Sequence, residues 1–435
     1  MSREARGPRW ALFACVAGIS CEAPTFVVED PSTTTAGDST VGGTTSPVST
    51  DTSGGTDASS SGEGGCAADG TGEIPEDWWN PAWIRRRLIT IDPSIVPEGG
   101  LVDGFPVLVR VDGLPPQPPC SPEGGDELRF RTVDDDAQLL HDVDEWSPDG
   151  MLMVWLRVPA LVSGGEPLRV WMYYGNPEAE PVDASANLWT DYISVHHLGA
   201  DLEDSVGEHP GDAQWPPKLC ADPSDSDSAV CTPKSGCARS FDPDMLHDVV
   251  LPSPSRYDFG DGPGGVSGDQ PNLTVSLWFD ASSTAMDTPL VAKGDTAWKI
   301  EFTEESEVAF VVDCRQPQEG CDPSDDDFSV VAADTPVSQG WHHVAVTSAP
   351  AGDGLDLAIY VDGELRGESH LMDYVGQNGQ PLRFGHNLEA ATRYAGALDE
   401  IRVIDKRRSD EWIAAEYRTV TESHVTVGEE QLLCP

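Results

Sequence analysis

The chain has 435 residues, of which 75 are acidic and 26 are basic, and its formal net charge is −49. A surface of this sign repels phosphate groups, so the composition argues against nucleic-acid binding and against electrostatic docking on anionic lipid. The 43 glycines and 36 prolines predict frequent turns, as is typical of an all-β protein. None of the ten cysteines stands in a paired C-x-x-C arrangement, and their spacing indicates disulfides formed in an oxidising compartment.

Residues 1–21 have the form of an export signal. A segment with three arginines precedes a short apolar stretch, which is shorter than the about 20 residues that a membrane-spanning helix needs. The stretch ends in Gly-Ile-Ser-Cys, which resembles a bacterial lipobox and places a lipid on Cys21. We therefore expect an exported lipoprotein at the outer membrane or cell surface. A lipobox that ends at Cys15, plain secretion and a membrane-retained signal are the alternatives.

Residues 22–76 are predicted to form a disordered linker. Between about residues 31 and 65 the chain consists mainly of Ser, Thr, Gly and Asp, with almost no large apolar side chain. Such a segment cannot bury enough surface to offset the entropy of ordering it. About 35 flexible residues span roughly 30–35 Å, so the linker would hold the folded part away from an anchored N-terminus.

Residues 77–182 show the pattern of a β-sandwich domain, after a start that is rich in tryptophan at Trp78, Trp79 and Trp83. Short stretches of alternating apolar and polar residues are separated by Gly, Pro and Asp turns, which favours antiparallel strands. The strand candidates are residues 87–91, 105–111, 128–131, 153–158 and 168–174. The pattern predicts a first folded domain that is built of strands.

Motifs in this region resemble the bacterial DUF2341 family in content and in order. They are DGFPVLVRVDG, DELRFRTVDDDAQLLHDVDEW, LMVWLRVPAL and VWMYYGNP. The family has no established activity and occurs in exported multi-domain proteins, often beside LamG-like modules. The resemblance therefore implies a domain and a cellular context rather than a mechanism.

The strand pattern restarts at about residue 187, and residues 183–435 are predicted to form a second domain. Its strand candidates are residues 273–279, 308–312, 341–347, 357–361, 382–385 and 398–403. The pair Asp362 and Gly363 is typical of a tight hairpin. Ser409 can cap a short helix over about residues 410–418.

The motifs of this second region resemble the LamG/concanavalin A-like lectin/glucanase superfamily. They are LTVSLWF, WHHVAVT, LAIYVDGELRG, LRFGHN and YAGALDEIRVIDKRRSDEWIAAEY. The resemblance implies a jelly roll, in which two antiparallel sheets pack face to face. The predicted fold class is therefore all-β, with a disordered tether followed by a β-sandwich domain and a concanavalin A-like jelly roll.

Members of this superfamily often carry a structural calcium ion, and the resemblance assigns its oxygen ligands to Asp204 and Asp399. The alternative is that Asp399 caps a turn and that Asp204 is a solvated loop acid. Cys314 and Cys321 frame a compact acidic loop and are the most favoured disulfide pair. Calcium is the one cofactor that the sequence indicates.

Glycoside hydrolysis needs two carboxylates at a defined separation. The nearest candidates are residues 142–145 and 399–400, but the first set belongs to the other domain and the second has no third carboxylate two residues on. His196 and His197 are adjacent, so on a strand they would point to opposite faces. The sequence also has no H-E-x-x-H, P-loop or Rossmann motif. We expect no enzymatic activity, with a cryptic glycosidase as the least favoured alternative.

The favoured function is glycan binding or adhesion at the cell surface through the jelly roll, with a polysaccharide or a surface protein as the partner. Trp278, Trp298 and Tyr394 are the candidates for stacking on sugar rings, and the alternative is that they are core residues. The second hypothesis is a scaffold module of the envelope that binds another protein. Exposed aromatic rings in a groove would favour a sugar, whereas a flat apolar patch would favour a protein partner.

Overall fold

The computed structural model describes residues 74–115, 125–182, 185–199, 202–207, 210–220, 236–252, 254–258, 272–294, 297–313, 328–352, 354–371, 378–388 and 392–433. The predictions for the export signal, for Cys15 and Cys21, for the linker up to residue 73 and for the Cys314–Cys321 pair lie outside these residues. No helix within the described ranges is long and apolar enough to cross a membrane.

The first half of the described chain is built of short strands. They are β1 (Arg85–Ile91), β2 (Leu101–Val102), β3 (Phe105–Val111), β4 (Arg129–Thr132), β5 (Gln138–Leu139), β6 (His141–Trp146), β7 (Leu152–Val158), β8 (Leu161–Val162) and β9 (Leu168–Tyr174). The strands β3 and β9 have the bounds that the sequence pattern predicts, which confirms that alternation with flanking turn residues marks a strand here.

The second half is also built mainly of strands. Of its two described α-helices, only the C-terminal one is longer than one turn. Its elements are α1 (Ser185–Leu188), β10 (Ser194–His196), β11 (Lys218–Leu219), β12 (Arg239–Phe241), β13 (Val249–Leu251), β14 (Leu273–Asp280), β15 (Pro289–Ala292), β16 (Trp298–Phe302), β17 (Val308–Asp313), β18 (Phe328–Ala332), β19 (Trp341–Ala351), β20 (Gly354–Val361), β21 (Glu364–Leu371), β22 (Leu382–Phe384), β23 (Gly396–Ile404), α2 (Asp410–Thr421), β24 (Val425–Val427) and β25 (Gln431–Leu432). The predicted all-β fold class is therefore confirmed.

Antiparallel pairing joins these strands into four main sheets, which we name A to D. Sheet A has the order β24-β1-β9-β4-β5, with β25 also paired to β1, and sheet B has the order β3-β7-β6. Sheet C has the order β11-β12-β23-β14-β19-β20-β21, with β10 also paired to β23. Sheet D has the order β13-β22-β15-β16-β17-β18. Sheets C and D are the two faces of the predicted jelly roll.

The four sheets lie in successive layers with apolar side chains between them. Ile89, Val107 and Phe130 belong to the core between sheets A and B. Leu277 and Phe302 belong to the core between sheets C and D. Sheets B and C also face each other, and this third contact is described as the B/C layer below. Sheets B and C are therefore covered on both faces, which explains why every residue of β14 and β23 is buried.

The B/C layer is filled by large side chains from both halves of the chain. Leu108 and Trp155 come from sheet B, Trp278 comes from sheet C, and Trp189 follows α1. The rings of Trp155 and Trp189 lie 6.2 Å apart in an edge-to-face arrangement, which is a favourable geometry for aromatic pairs. The two predicted domains thus share a packed apolar interface.

The C-terminal segment ties the second half back to the first. Ser409 caps α2, and its hydroxyl accepts a hydrogen bond from the Trp412 backbone N–H at 3.3 Å, as the sequence predicts. The Trp412 ring packs edge-to-face on Phe105 of β3, with ring centroids 5.0 Å apart. After α2, Val427 pairs with Ile89 of β1, so residues beyond the jelly-roll sheets complete sheet A. The domain boundary between residues 182 and 183 stays a prediction.

The tryptophan-rich start covers the outer face of sheet A. The Arg86 guanidinium lies 4.5 Å from the ring centroid of Trp78 and 3.9 Å from that of Trp171. A cation held between two indole faces is stabilised by their π electrons. The arrangement packs the tryptophan-rich start against sheet A.

Candidate functional site

The three aromatic residues that the sequence indicates for sugar stacking are buried. Trp278, Trp298 and Tyr394 are 2%, 1% and 0% exposed. The Trp298 indole N–H donates to the backbone carbonyl of Tyr257 at 3.2 Å, and the Tyr394 hydroxyl donates to that of Asp280 at 2.6 Å. Rings enclosed in this way cannot offer a face to a ligand, so their assignment as binding residues is corrected to core residues.

Asp204 lies on the side of sheet C that faces sheet D. One of its carboxylate oxygens accepts hydrogen bonds from the backbone N–H groups of Val195 and Val206, at 2.9 and 3.1 Å. The carboxylate also acts electrostatically on His196 and Tyr257. The Tyr257 ring belongs to the core between sheets C and D. Asp204 therefore holds the loop after β10 in place.

Asp399 lies on the opposite side of the same sheet. It pairs with Trp278 of β14, and directly paired residues of antiparallel strands share one face. Because the Trp278 side chain is in the B/C layer, Asp399 faces that layer. The structure does not bring Asp204 and Asp399 together, so these two residues do not fit one calcium ion.

The carboxylate sets at residues 142–145 and 399–400 do meet, across the B/C layer, around His197. The His197 Nδ1 atom lies 2.6 Å from Glu400 Oε1, and its Nε2 atom lies 3.1 Å from Asp142 Oδ2. Asp144 lies beside them. We call Asp142, Asp144, His197, Glu400 and Arg402 the His197 cluster. It combines residues of sheet B with residues of sheet C.

Two β-bulges determine the direction of the Asp144 and Glu400 side chains. The pairing of β6 with β7 shifts register between Val143 and Glu145, so Asp144 lies at the bulge. The pairing of β14 with β23 also shifts register, between the pairs Ser276–Arg402 and Trp278–Asp399. Glu400 lies at this bulge, and its φ of 50° is in the left-handed region. That conformation is costly for a residue with a Cβ atom, and bulges often redirect side chains at functional positions.

Opposite charges hold the cluster together inside the protein. Arg402 lies 2.6 Å from Glu400 and 2.9 Å from Glu416, and its guanidinium is 4.2 Å from the centroid of the Trp155 ring. Burial disfavours the imidazolium of His197, but the Glu400 and Asp142 carboxylates outweigh it and hold the pKa of His197 well above its usual value. Burial likewise disfavours the Glu400 carboxylate, yet His197 and Arg402 keep its pKa below the usual value.

The cluster has the donor atoms of a metal site. Asp144, His197 and Glu400 each offer one ligand atom, and these atoms lie within 4.8 Å of one another. The His197 and Glu400 side chains are only 11% and 1% exposed, so a large substrate has little access to them.

Sequence reasoning places His196 and His197 on opposite faces, as the structure has them, but misses the partners of His197. Glu400 is 203 residues away along the chain, and no local pattern signals that contact.

An open cleft of about 710 Å³ lies beside sheets A and B. We call it the polar cleft. Its lining residues are Asp103, Gly104, Thr132, Asp134, Asp135, Ala137, Gln138, Leu139, Leu140, Arg157, Val158, Pro159, Leu168 and Asp191. Arg157 is fixed at its edge, because its guanidinium donates to the backbone carbonyl of Leu188 at 2.7 Å and lies 3.3 Å from Asp191.

Sheets C and D form a concanavalin A-like domain, which packs on a smaller β domain. Residues 262–414 match the family model of the Concanavalin A-like lectin/glucanases superfamily (Laminin_G_3). Residues 124–192 match the model of the Domain of unknown function DUF2341. Both families, and their order along the chain, are those that the sequence motifs predict.

Solved structures show only distant likeness, and a search of curated proteins finds no match. Domain 4 of AbnA, a GH43 extracellular arabinanase from Geobacillus stearothermophilus, is 16% identical over 52% of this chain and 97% of its own, with a TM-score of 0.33. The binding domain of Paraclostridial Mosquitocidal Protein 1 is 12% identical over 53% of this chain and 52% of its own, with a TM-score of 0.39. At these scores neither carries an argument about function.

Proposed function

We propose that this protein is an exported, non-catalytic binding protein, and that the polar cleft takes an uncharged glycan. The match of residues 262–414 to a lectin/glucanase superfamily supports a binding role for the chain, and the sequence motifs place the ligand on that jelly roll. The residues that line the polar cleft all fall between 103 and 191, so this proposal moves the glycan from the jelly roll to the smaller β domain. The observation that carries the proposal is the composition of the cleft, in which hydrogen-bonding side chains stand beside an apolar wall of Leu139, Leu140, Val158 and Leu168. Ligand pockets of roughly 300–1,000 Å³ usually combine these features, and a sugar ring presents both hydroxyls and an apolar face.

The charge of the cleft favours an uncharged sugar. Asp103, Asp134, Asp135 and Asp191 contribute four carboxylates to the lining, and Arg157 contributes one guanidinium. The hydrogen bond from the Thr132 hydroxyl keeps the pKa of Asp135 below its usual value, so this carboxylate is ionised at neutral pH. Acidic polysaccharides would be repelled by such a site.

The test measures binding of the full chain to a panel of neutral and acidic polysaccharides. The double variant Asp103→Ala with Gln138→Ala should weaken binding of a neutral glycan about tenfold or more, because each lost hydrogen bond is worth about 1 kcal/mol. Asp356→Ala is the matched control, since Asp356 is on β20 and outside the cleft lining. Binding that survives the double variant unchanged would place the glycan site elsewhere.

A protein partner is the second candidate, because four exposed apolar side chains stand on loops at one end of the jelly roll. Met245, Leu246, Met286 and Leu388 are 55%, 49%, 48% and 54% exposed. Arg393 links these loops, since its guanidinium donates to the Leu246 carbonyl at 3.1 Å. Exposed apolar patches often mark protein interfaces. Crosslinking on intact cells with the variant Met245→Ser plus Leu388→Ser as control tests this function.

The N-terminal part of the proposal rests on the sequence. A lipid on Cys21 would anchor the protein to the membrane. The linker would then hold the folded part away from the membrane surface. Metabolic labelling with a radioactive fatty acid should mark the wild-type chain and not Cys21→Ala. Label that persists in Cys21→Ala would assign the anchor to another residue, with Cys15 as the next candidate.

A further inference from the structure

We propose that Asp144, His197 and Glu400 bind a divalent first-row transition-metal ion such as Zn²⁺, which joins the smaller β domain to the jelly roll. Its three ligands are neither the predicted calcium ligands nor lining residues of the polar cleft, although Glu400 directly follows Asp399 in the chain. It does not depend on the glycan proposal.

The donor geometry is close to what such an ion needs. Zinc binds imidazole nitrogen and carboxylate oxygen at about 2.0–2.2 Å, so tetrahedral ligand atoms are about 3.4 Å apart. The three donor atoms here lie within 4.8 Å of one another. His197 Nδ1 and Glu400 Oε1 are now 2.6 Å apart, so they need to separate by less than about 1 Å to admit the ion.

The surroundings match the second shell of a metal site. A ligating histidine commonly donates its other ring N–H to a carboxylate, and Asp142 lies 3.1 Å from the Nε2 atom of His197. Asp142 is itself held by the indole N–H of Trp189 at 2.7 Å. Glu400 keeps its second oxygen on Arg402 at 2.6 Å, which leaves Oε1 directed at His197.

The charge of the region also favours a cation. Four buried or nearly buried carboxylates meet here, and the cationic groups beside them are the guanidinium groups of Arg402 and Arg110 and the imidazole of His197. An ion at Nδ1 of His197 would displace a proton from that ring and put two positive charges in place of one. The carboxylates are those of Asp142, Asp144, Glu400 and Glu416. Buried charge is costly unless it is compensated, and a divalent ion would supply that compensation. The two bulges that direct Asp144 and Glu400 into this region fit the same role.

The donor set indicates which kind of ion binds. One imidazole with two carboxylates suits Zn²⁺ or Mn²⁺ better than Ca²⁺, which takes six to eight oxygen ligands. The ligands come from sheet B, from the residue after β10 and from β23, so the ion would stabilise the contact between the two domains rather than either domain alone.

The experiment uses the full chain, stripped of metal with chelator and titrated with Zn²⁺ or Co²⁺ alone. We expect one equivalent of metal, a raised melting temperature and a Co²⁺ absorption spectrum typical of mixed nitrogen and oxygen ligands. Asp144→Asn and His197→Gln should abolish stoichiometric binding, and Asp142→Asn should weaken it about 10–100-fold. His370→Gln is the matched control, because His370 contacts Asp356 at 2.7 Å in an exposed pair on β20 and β21.

Each outcome decides the proposal. Wild-type protein that binds less than stoichiometric metal, or His197→Gln that binds as tightly as wild type, overturns it. Asp144→Asn is nearly isosteric, so it serves as the test if His197→Gln does not fold, which circular dichroism will show. In that case a Co²⁺ spectrum identical in wild type and Asp144→Asn contradicts the site, and a spectrum lost in Asp144→Asn supports it.

Discussion

The B/C layer and the polar cleft both contain several carboxylates, but the ion pairs in the layer are buried and those at the cleft are exposed to water. In the layer, Glu400 and Arg402 lie 2.6 Å apart with side chains that are 1% and 2% exposed. At the cleft, Arg169 and Asp134 lie 2.7 Å apart with side chains that are 50% and 73% exposed. Nearly equal distances therefore correspond to very different energies, because water screens the exposed pair and is excluded from the buried one.

This difference separates what holds the protein together from what can bind a ligand. Buried charges that have lost water depend on their partners, so Arg402 and His197 are part of the interface between sheets B and C. Charges at the cleft keep their water, so Asp103 and Asp135 can exchange it for the hydroxyls of a ligand. Four predictions test the comparison, from the largest effect to the smallest.

Arg402→Met should lower the free energy of unfolding by about 3–5 kcal/mol, because it removes the guanidinium that Glu400 and Glu416 share inside the protein and leaves Glu400 with His197 alone. Urea unfolding of the full chain, followed by tryptophan fluorescence, measures the loss. Adding Glu416→Gln to Arg402→Met should recover part of it, since one uncompensated charge is then removed. A loss below about 1 kcal/mol would show that water reaches the layer.

Leu108→Ala tests whether the layer is packed like a core. Leu108 is 1% exposed, and truncation of a buried leucine costs about 2–5 kcal/mol. Urea unfolding should show this loss in one transition for both halves of the chain, because the layers are continuous. Leu101→Ala is the control, since Leu101 is 56% exposed and its truncation should cost less than about 0.5 kcal/mol. Two separate transitions in wild type would contradict a shared interface.

The His342–Asp362 pair is half-buried, so its exposure to water is intermediate between those of the B/C layer and the polar cleft. The two side chains are 2.7 Å apart. The hydrogen bond to Asp362 raises the pKa of His342 despite burial. Burial opposes ionisation of Asp362, but His342 and the His343 backbone N–H outweigh it and lower its pKa.

The pH dependence follows from these two directions. The raised pKa of His342 gives stability that is fully present below about pH 6.5 and is lost as pH rises through the folded-state pKa. The lowered pKa of Asp362 gives stability that is present above about pH 3.9 and is lost as pH falls through its folded-state pKa. The difference in unfolding free energy between wild type and His342→Gln should therefore be largest between about pH 4 and 6.5. Urea unfolding at pH 5 and pH 9 measures it, and an equal difference at both would contradict the assignment.

Arg169→Ala should change the free energy of unfolding by less than about 1 kcal/mol, because its partner Asp134 is exposed and the pair is screened. The effect should shrink further in high salt, as measured by urea unfolding at two ionic strengths. A loss comparable to that of Arg402→Met would remove the contrast between the two regions.

Local patterns were enough to predict many of the elements. Residues 105–111 and 168–174 were predicted as strands with their observed bounds, and the Ser409 cap was predicted with its helix. The hairpin at Asp362 and Gly363 was predicted because these residue types accept a positive φ. Their observed φ angles are 52° and 76°. These features depend on neighbours within a few residues, so composition and alternation suffice to find them.

Sequence by itself also determined the fold class and the two families, because spaced motifs carry that information. Only the tertiary structure decided that Trp278, Trp298 and Tyr394 are core residues, since an amphipathic strand does not show whether a second layer covers its outer face. It also decided that Asp144 and Glu400 meet at His197, since two bulges and a contact between residues about 200 positions apart create that site. The physical reason is that alternation reports which side chains are apolar, whereas the stacking of sheets determines which faces water can reach.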